Sequence, residues 1–305
     1  MLRTKTGPGW IVFSLALAAA IFVSSHAADP LAPLAPLKPA DSGTCTMPPE
    51  SPQPLAAPRP SAPPAVLTAP QPPSAAASIP LIGDTAPAFK AETTEGPITF
   101  PDDYKGKWVI LFSHPGDFTP VCTTEFMTFA TMAPEFEAIN CKLLGLSVDS
   151  NTSHIAWLRT IQERARYKGM EKVEVTFPVI ADRKMEVAKA YGMIQPSASD
   201  TKTVRAVFFI DPQAKVRAML YYPLSNGRNF QEIKRLLIAM QTTDAHSCAT
   251  PADWQPGDDV IVPAPSNCQK ARERVDNPPK DTTVCDWFLT FKKLPKDQLK
   301  LPPGK

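Results

Sequence analysis

The sequence contains no pair of cysteines separated by two residues, although it carries six cysteines in 305 residues. That spacing is typical of thiol-disulfide exchange sites, so its absence argues against this class of oxidoreductase. An excess of charge is also missing, because 32 basic residues are balanced by 30 acidic ones to a formal net charge of +2. No nucleic acid or other polyanionic partner is therefore expected. The four histidines, at positions 26, 114, 154 and 246, lack metal-ligand spacing, so we predict no metal site.

Long apolar runs are scarce as well. The run at the N-terminus, from Ile11 to Val23, is shorter than the ~20 residues that a membrane span needs. Arg3 and Lys5 precede it, and small residues follow at 25–28, which is the pattern of a cleaved export signal. We predict that residues 1–28 are a signal peptide and that the protein is exported to a bacterial periplasm. An uncleaved signal that anchors the protein in the membrane is the alternative.

Proline, in contrast, is abundant: there are 36 prolines, well above the usual share of about 5%. They concentrate in residues 29–78, in stretches such as PLAPLAPLKPA and PRPSAPP, where no helical or strand period survives. This composition predicts a disordered linker that is biased toward extended polyproline II conformation. Cys45 lies alone in the linker, and it either pairs with another chain or has no role.

Residues 79–243 alternate apolar runs with helical patterns, which predicts a globular domain. Trp108 to Phe112 is a continuous apolar run, typical of a strand buried on both faces. The runs at 204–210 and 216–222 flank a four-residue turn and predict a hairpin. Strands that alternate with helices favour an α/β sandwich with a mixed central sheet. Further strands are predicted at 143–149 and 177–182, and helices after Cys122 (with a break or kink at Pro134) and at 154–168, 184–191 and 230–241. Residues 244–305 are predicted to form an extension or small second domain.

Cys122 lies where the sequence changes from the apolar run ending at Phe112 to a helical pattern. Pro120 suits the first turn of that helix, where its missing N–H has no partner to lose, and Cys122 then falls in the same turn. Free backbone N–H groups and the positive end of the helix dipole stabilise a thiolate there. The thiolate is the nucleophilic form of cysteine, so we predict that Cys122 is reactive. The alternative is a buried, inert cysteine.

The segment around this cysteine, HPGDFTPVCTTE, closely resembles the P-x-x-x-T-x-x-C active-site loop of the peroxiredoxins, in the form found in one-cysteine members. The likeness continues through FPVIAD, VRAVFFIDP, YYPLSNGRNFQEI and TPADWQPGDDVIVP, and covers roughly residues 79–290. The resemblance implies a thioredoxin-like fold with a C-terminal extension, and reduction of hydrogen peroxide and organic hydroperoxides. It also implies that no metal or organic cofactor is needed, and that the chain forms a homodimer or a ring of dimers.

The resemblance implies roles for individual residues. Cys122 would attack the O–O bond of the peroxide and become a sulfenic acid. Thr119 would hydrogen-bond the peroxide through its hydroxyl, and Pro115 would shield the pocket. Arg205 matches the active-site arginine, whose guanidinium stabilises both the thiolate and the charge that builds on the peroxide oxygens. His114 matches a pocket histidine, although it is equally compatible with a satisfied histidine at the end of a strand.

Glu125, one turn after Cys122, has two interpretations. As a functional residue it would position an arginine, either Arg205 or Arg228. As a structural residue it would be a solvated acid that the helix dipole favours in a first turn.

The sulfenic acid must be reduced again, and three cysteines of the extension are candidates: Cys248, Cys268 and Cys285. Some relatives carry a cysteine after a D-W-F segment, but Leu289 follows that segment here. We therefore predict a structural bridge between Cys268 and Cys285, which contributes about 3 kcal/mol in the chain-entropy model. Cys248 is the next candidate for a resolving thiol. Reduction by an external thiol remains the leading mechanism, because it is usual for the one-cysteine type.

A function of a different class is also compatible with the sequence. The chain would then be a non-catalytic envelope scaffold or holdase, in which the proline-rich arm binds a partner and the globular domain has no redox role. The reactivity of Cys122 toward a peroxide distinguishes the two, since only the peroxidase requires it.

Overall fold

The computed structural model describes residues 79–299. The predicted signal peptide at 1–28, the linker at 29–78 and Cys45 lie outside the described residues. Within residues 79–299, no helix combines the length and the apolar character that crossing a membrane requires. In chain order the strands are β1 Phe89–Thr93, β2 Gly96–Phe100, β3 Trp108–Ser113, β4 Cys141–Ser147, β5 Arg166–Tyr167, β6 Met170–Glu171, β7 Val179–Ala181, β8 Arg205–Ile210, β9 Val216–Tyr222, β10 Val260–Ile261, β11 Thr282–Asp286 and β12 Leu289–Lys292. The α-helices are α1 Pro120–Ala138, α2 Asn151–Arg164, α3 Glu186–Ala190, α4 Phe230–His246 and α5 Cys268–Asp276.

A seven-stranded mixed sheet forms the centre of the molecule, with the strand order β2-β1-β7-β4-β3-β8-β9. Strand β3 is parallel to β4 and antiparallel to β8. All six residues of β3 are buried, as its continuous apolar sequence predicts. Its side chains alternate between two cores: Ile110 and Phe112 pack with α1, α2 and α4, while Val109 and Leu111 pack with α3. Helices on both faces of a mixed sheet confirm the predicted thioredoxin-like α/β fold.

The helices differ from their predicted bounds for local reasons. Helix α2 begins at Asn151, not at residue 154, because the hydroxyl of Ser150 accepts a hydrogen bond from the Ser153 N–H and caps it. It ends at Arg164, not at 168, because the chain turns into the β5–β6 hairpin. Helix α3 is only five residues long, and the Asp182 carboxylate caps its first N–H groups. Pro134 lies inside α1, which continues to Ala138, so of the predicted break or kink the break is wrong.

The boundary predicted at residue 243 falls inside α4, which continues to His246 and ends at Ser247 in the left-handed region (φ 49°). The extension beyond it forms a three-stranded sheet in the order β10-β12-β11, together with the exposed helix α5. Its buried apolar residues join the core beneath α1 and α4, so the extension is held to the main domain by packing. These residues are Trp254, Val260, Leu294 and Leu299.

The predicted bridge between Cys268 and Cys285 is not formed: both are exposed free thiols, Cys268 at the start of α5 and Cys285 in β11. Trp254, which is only 1% exposed, anchors the extension in the core in place of the predicted bridge. Its carbonyl also accepts a hydrogen bond from Arg235 of α4 at 3.0 Å.

Candidate active site

Cys122 lies in the first turn of α1 and is fully buried. Thr119 is the N-cap of this helix, with extended backbone angles, and Pro120 is its first residue, as the sequence predicts. The first helical hydrogen bond runs from the Thr123 N–H to the Thr119 carbonyl. The Cys122 N–H precedes that bond and is one of the free donors of the helix start. The thiol therefore faces the positive end of the helix dipole.

Arg205, the first residue of β8, brings a guanidinium to this thiol. Its Nη1 lies 3.3 Å from the Cys122 Sγ. The side chain is fixed from its other edge, because Nε and Nη2 both donate to the Leu224 carbonyl, at 3.1 and 2.7 Å. Arg205 is only 2% exposed, so its charge acts on the sulfur with little screening by solvent.

The carboxylate of Glu125 joins two buried arginines. Its Oε2 accepts from Arg205 Nη1 at 2.8 Å and from Arg228 Nη2 at 2.7 Å. Its Oε1 accepts from the backbone N–H and the Nε of Arg228. Burial alone would raise the pKa of the Glu125 carboxyl, but the charges and hydrogen bonds of Arg228 and Arg205 outweigh it and hold that pKa below its ordinary value. The solvated-acid interpretation of Glu125 is wrong, since the residue is 3% exposed.

The loop before α1 forms the other side of the site. Thr119 donates its hydroxyl hydrogen to the Gly116 carbonyl at 2.8 Å, so the lone pairs of its oxygen stay available as acceptors. Pro115 is buried and Phe118 is exposed, and Phe118 has a left-handed backbone (φ 55°) that is unusual for a bulky residue. The loop at 114–119 thus connects β3 to α1, with a sharp turn at Phe118 that places Thr119 at the start of the helix.

His114 is fully buried at the end of β3, and it does not stand alone. Its Nε2 lies 3.0 Å from Asp117 Oδ1, and the same carboxylate contacts His154 Nδ1 at 2.9 Å. Burial lowers the pKa of His114 below its ordinary 6.5. Two of the four histidines that are scattered in the sequence, His114 and His154, therefore meet around one carboxylate. Sequence reasoning missed Asp117 and His154, although Asp117 is part of the quoted motif.

The remaining cysteines have different surroundings. Cys141 begins β4 and is 2% exposed, and burial raises the pKa of its thiol, as expected for an inert core cysteine. Cys248 is half-buried, and burial raises the pKa of its thiol too. Among the described cysteines, Cys122 has the arginine contact that supports a thiolate.

A buried cysteine at a helix start, in contact with an arginine on a thioredoxin-like sheet, defines a thiol-dependent oxidoreductase. Comparison with known proteins narrows the class. The sequence model of the AhpC/TSA family matches residues 82–219, and that of the C-terminal domain of 1-Cys peroxiredoxin matches residues 239–277. A peroxiredoxin of Methanosarcina mazei is 61% identical over 215 residues, which cover 70% of this chain and 98% of that protein. The chain belongs to the peroxiredoxins and reduces peroxides with electrons from thiols.

Other relatives are peroxiredoxins as well. A peroxiredoxin of Aquifex aeolicus is 51% identical over 227 residues, which cover 71% of this chain and 98% of that protein. The solved structure of a yeast mitochondrial 1-Cys peroxiredoxin aligns with a TM-score of 0.61 at 40% identity, covering 70% of this chain and 99% of that one. The predicted enzyme class is thus confirmed, and the scaffold alternative is not favoured.

The buried acid–base groups give the fold a pH dependence. Burial lowers the pKa of His114 in the folded protein. Below about pH 6.5 the unfolded chain therefore protonates His114 more readily than the folded protein does, and the free energy of unfolding falls as the pH drops. The pKa of Glu125 is also lowered, so its contribution is present above about pH 4 and is lost as the pH falls further. We expect urea unfolding to show the first decline between about pH 6 and pH 5. The decline should be absent in His114→Gln, and an identical decline in that variant would contradict the neutral state of His114.

Proposed function

We propose that Cys122 is the thiol that this peroxiredoxin uses to reduce hydrogen peroxide and organic hydroperoxides, and that an external thiol restores it. The observation that carries the proposal is the 3.3 Å contact between Arg205 Nη1 and the Cys122 Sγ at the start of α1. Two positive partners, the guanidinium and the helix start, favour the sulfur as an anion.

The reaction follows from these positions. The Cys122 thiolate attacks one peroxide oxygen, the O–O bond breaks, and the other oxygen leaves as water or an alcohol after taking up a proton. The cysteine is oxidised by two electrons to a sulfenic acid, and the peroxide is reduced by the same two. Thr119 accepts a hydrogen bond from the O–H of the peroxide, because its own hydrogen is already donated to Gly116.

Arg205 has one more part in this step. A guanidinium has five N–H donors, and four of those of Arg205 go to Leu224, Cys122 and Glu125 within the described residues. The fifth, on Nη2, is left for the peroxide oxygen on which negative charge develops as the O–O bond lengthens. Glu125 and Arg228 hold the guanidinium in place, and the buried Pro115 shields the pocket.

His114 lies beside the loop with its ring fixed by Asp117, which supports a role in shaping the pocket. The supporting roles of Glu125 and Arg228 follow from the three hydrogen bonds that join them and from the one that Arg205 donates to Glu125. No bound metal or organic cofactor enters any of these steps.

The second half of the cycle uses two external thiols. The first attacks the sulfenic sulfur of Cys122, releases water and forms a mixed disulfide, and the second frees the Cys122 thiol and leaves as the other half of a disulfide. The yeast mitochondrial relative is described with a thiol resolving mechanism via glutathione/thioredoxin systems, which supports a reductant of that kind here. Two external thiols supply both electrons of this half of the cycle, so the free cysteines Cys248, Cys268 and Cys285 need no part in it.

We therefore expect the combined variant Cys248→Ser, Cys268→Ser and Cys285→Ser to turn over peroxide within about two-fold of the parent when a thiol reductant is supplied, since these surface changes are small. Steady-state peroxide consumption with glutathione and with thioredoxin measures it. A loss of turnover of ten-fold or more, together with a disulfide to Cys122 in the parent by non-reducing peptide mapping, would show that a C-terminal cysteine resolves the sulfenic acid.

Export and assembly belong to the same proposal. The charged N-terminus, the short apolar run and the small residues at 25–28 support export to the periplasm, with the proline-rich segment as a spacer. The family resemblance supports a homodimer or a ring of dimers. An exported enzyme needs its reductant in the same compartment, so a thiol reductant must be present in the periplasm.

A further inference from the structure

A second cluster of buried titratable groups lies beside the loop before α1, and only its His114 has been given a role so far. His114, Asp117 and His154 have ligand-type atoms that all lie within 4.8 Å of one another. Three such residues also suit a metal ion, but here the hydrogen bonds between them account for their closeness. The side chains are 0–1% exposed, so the cluster is a closed chain of polar groups inside the protein.

Each ring nitrogen of His154 has a partner within hydrogen-bond distance. Its Nε2 lies 3.2 Å from the Ile180 carbonyl, which only accepts hydrogen bonds. Its Nδ1 lies 2.9 and 3.0 Å from the two carboxylate oxygens of Asp117. Burial alone would raise the pKa of Asp117, but the hydrogen bonds from His114 and His154 outweigh it and hold that pKa far below its ordinary value. Both ring nitrogens of His154 therefore face hydrogen-bond acceptors.

Asp117 in turn sets the tautomer of His114. The Nε2 of His114 faces the ionised Asp117 Oδ1, so Nε2 carries the proton and donates it. The Nδ1 is left with the lone pair, and it has no hydrogen-bond partner within residues 79–299. The ring is held in place by Trp157 of α2, on which it stacks at a centroid distance of 5.1 Å, and by Phe126 of α1.

The chain of contacts also reaches the peroxide-binding hydroxyl. The Asp117 N–H donates to Asp149 Oδ2 at 2.9 Å, so side chain and main chain of Asp117 are both fixed. The preceding residue, Gly116, supplies the carbonyl that accepts the Thr119 hydroxyl. The direction of that hydroxyl decides which lone pairs face the peroxide, and it depends on where Asp117 holds the loop.

We propose that His154 is a positioning residue of the peroxide site, which anchors Asp117 as a doubly protonated imidazolium. Through Asp117 it fixes the tautomer of His114 and the position of the Gly116 carbonyl, which sets the direction of the Thr119 hydroxyl. His154 comes from α2 and touches no reacting atom, so it acts through the loop. The titratable groups around it are Asp117 and His114 after β3 and Asp149 after β4. The proposal rests on Cys122 as the reacting thiol, because Thr119 is the N-cap of the helix whose first turn carries Cys122.

The test compares two reactions of the same cysteine in His154→Gln, which removes the charge and one of the two donors. The rate of oxidation by hydrogen peroxide, measured by stopped flow, depends on the direction of the Thr119 hydroxyl. The rate of alkylation by iodoacetamide depends on the Cys122 thiol alone. We expect the peroxide rate constant to fall by about 10- to 100-fold, the order of loss when a change away from the chemistry misplaces a reacting group, and the alkylation rate to change by less than about three-fold. The control is His246→Gln, an exposed histidine at the end of α4, for which both rates should stay at parent values.

Equal losses in both reactions would overturn the proposal, since a merely structural His154 would affect them together. An independent measurement needs no variant: the ¹⁵N imidazole spectrum of the parent should show two N–H groups on His154 and one, on Nε2, for His114. A single N–H on His154 would also overturn it. Failure of the proposed function is distinguishable, because the parent itself would then react with peroxide no faster than a free thiol.

Discussion

The Cys122→Ser variant is expected to lose peroxide reduction by roughly 10⁴-fold or more, because the covalent step through sulfur is removed and no other described thiol has the same surroundings. Serine keeps the size and hydrogen-bonding of the residue at the start of α1, so the fold should survive. Its hydroxyl stays protonated beside Arg205 and attacks no O–O bond at a measurable rate. Peroxide consumption with a thiol reductant measures the loss.

The matched control is Cys285→Ser, an exposed cysteine of the extension, which should keep parent turnover. Thermal unfolding should also be followed, since a Cys122→Ser protein that unfolds like the parent removes misfolding as an explanation. If Cys122→Ser retained more than about a tenth of the parent turnover, Cys122 would not be the reacting thiol.

Arg205→Met is expected to lower the second-order rate constant for peroxide by about 10²- to 10³-fold, the usual effect of removing one donor to a developing negative charge. Methionine keeps much of the length and removes both the contact with the Cys122 Sγ and the free N–H on Nη2. The Glu125 carboxylate keeps its three hydrogen bonds from Arg228, so the variant does not leave a buried charge alone. Alkylation of Cys122 at neutral pH should slow as well, because the thiolate loses its cationic neighbour.

Arg217→Met supplies the control on the adjacent strand β9, where Arg217 pairs with Asp244 away from the thiol. That variant should lose only a few tenths to about 1 kcal/mol of stability and none of the rate. An Arg205→Met enzyme with the parent rate constant would show that the guanidinium does not act in the attack step.

Much of the fold follows from local pattern. The hairpin of β8 and β9 was predictable because two apolar runs flank a short Asp-Pro turn, and the observed β9, Val216–Tyr222, has the predicted bounds. Strand β3 was predictable because a strand buried on both faces needs a continuous apolar run. The end of α2 was not, since the β5–β6 hairpin that stops it has only two residues in each strand and leaves little pattern.

The active site also has features that the sequence predicts and contacts that it does not. The place of Cys122 at a helix start follows from Pro120 alone. The meeting of Glu125 with Arg228, 103 residues later, depends on how α1 and the loop before α4 pack, which no spacing encodes. His154 and Asp117 are 37 residues apart, so their contact was likewise beyond pattern analysis. The bridge predicted between Cys268 and Cys285 would have stabilised the extension covalently, but the buried apolar residues of the extension pack into the core of the main domain instead.

The most direct test of the account is the site of the sulfenic acid. The reduced protein is mixed with one equivalent of hydrogen peroxide in the presence of dimedone, digested, and analysed by mass spectrometry peptide by peptide. The account predicts a rapid, near-stoichiometric dimedone adduct on Cys122 and none on the buried Cys141. An unlabelled Cys122, or an adduct that forms first on Cys248, Cys268 or Cys285, would contradict it.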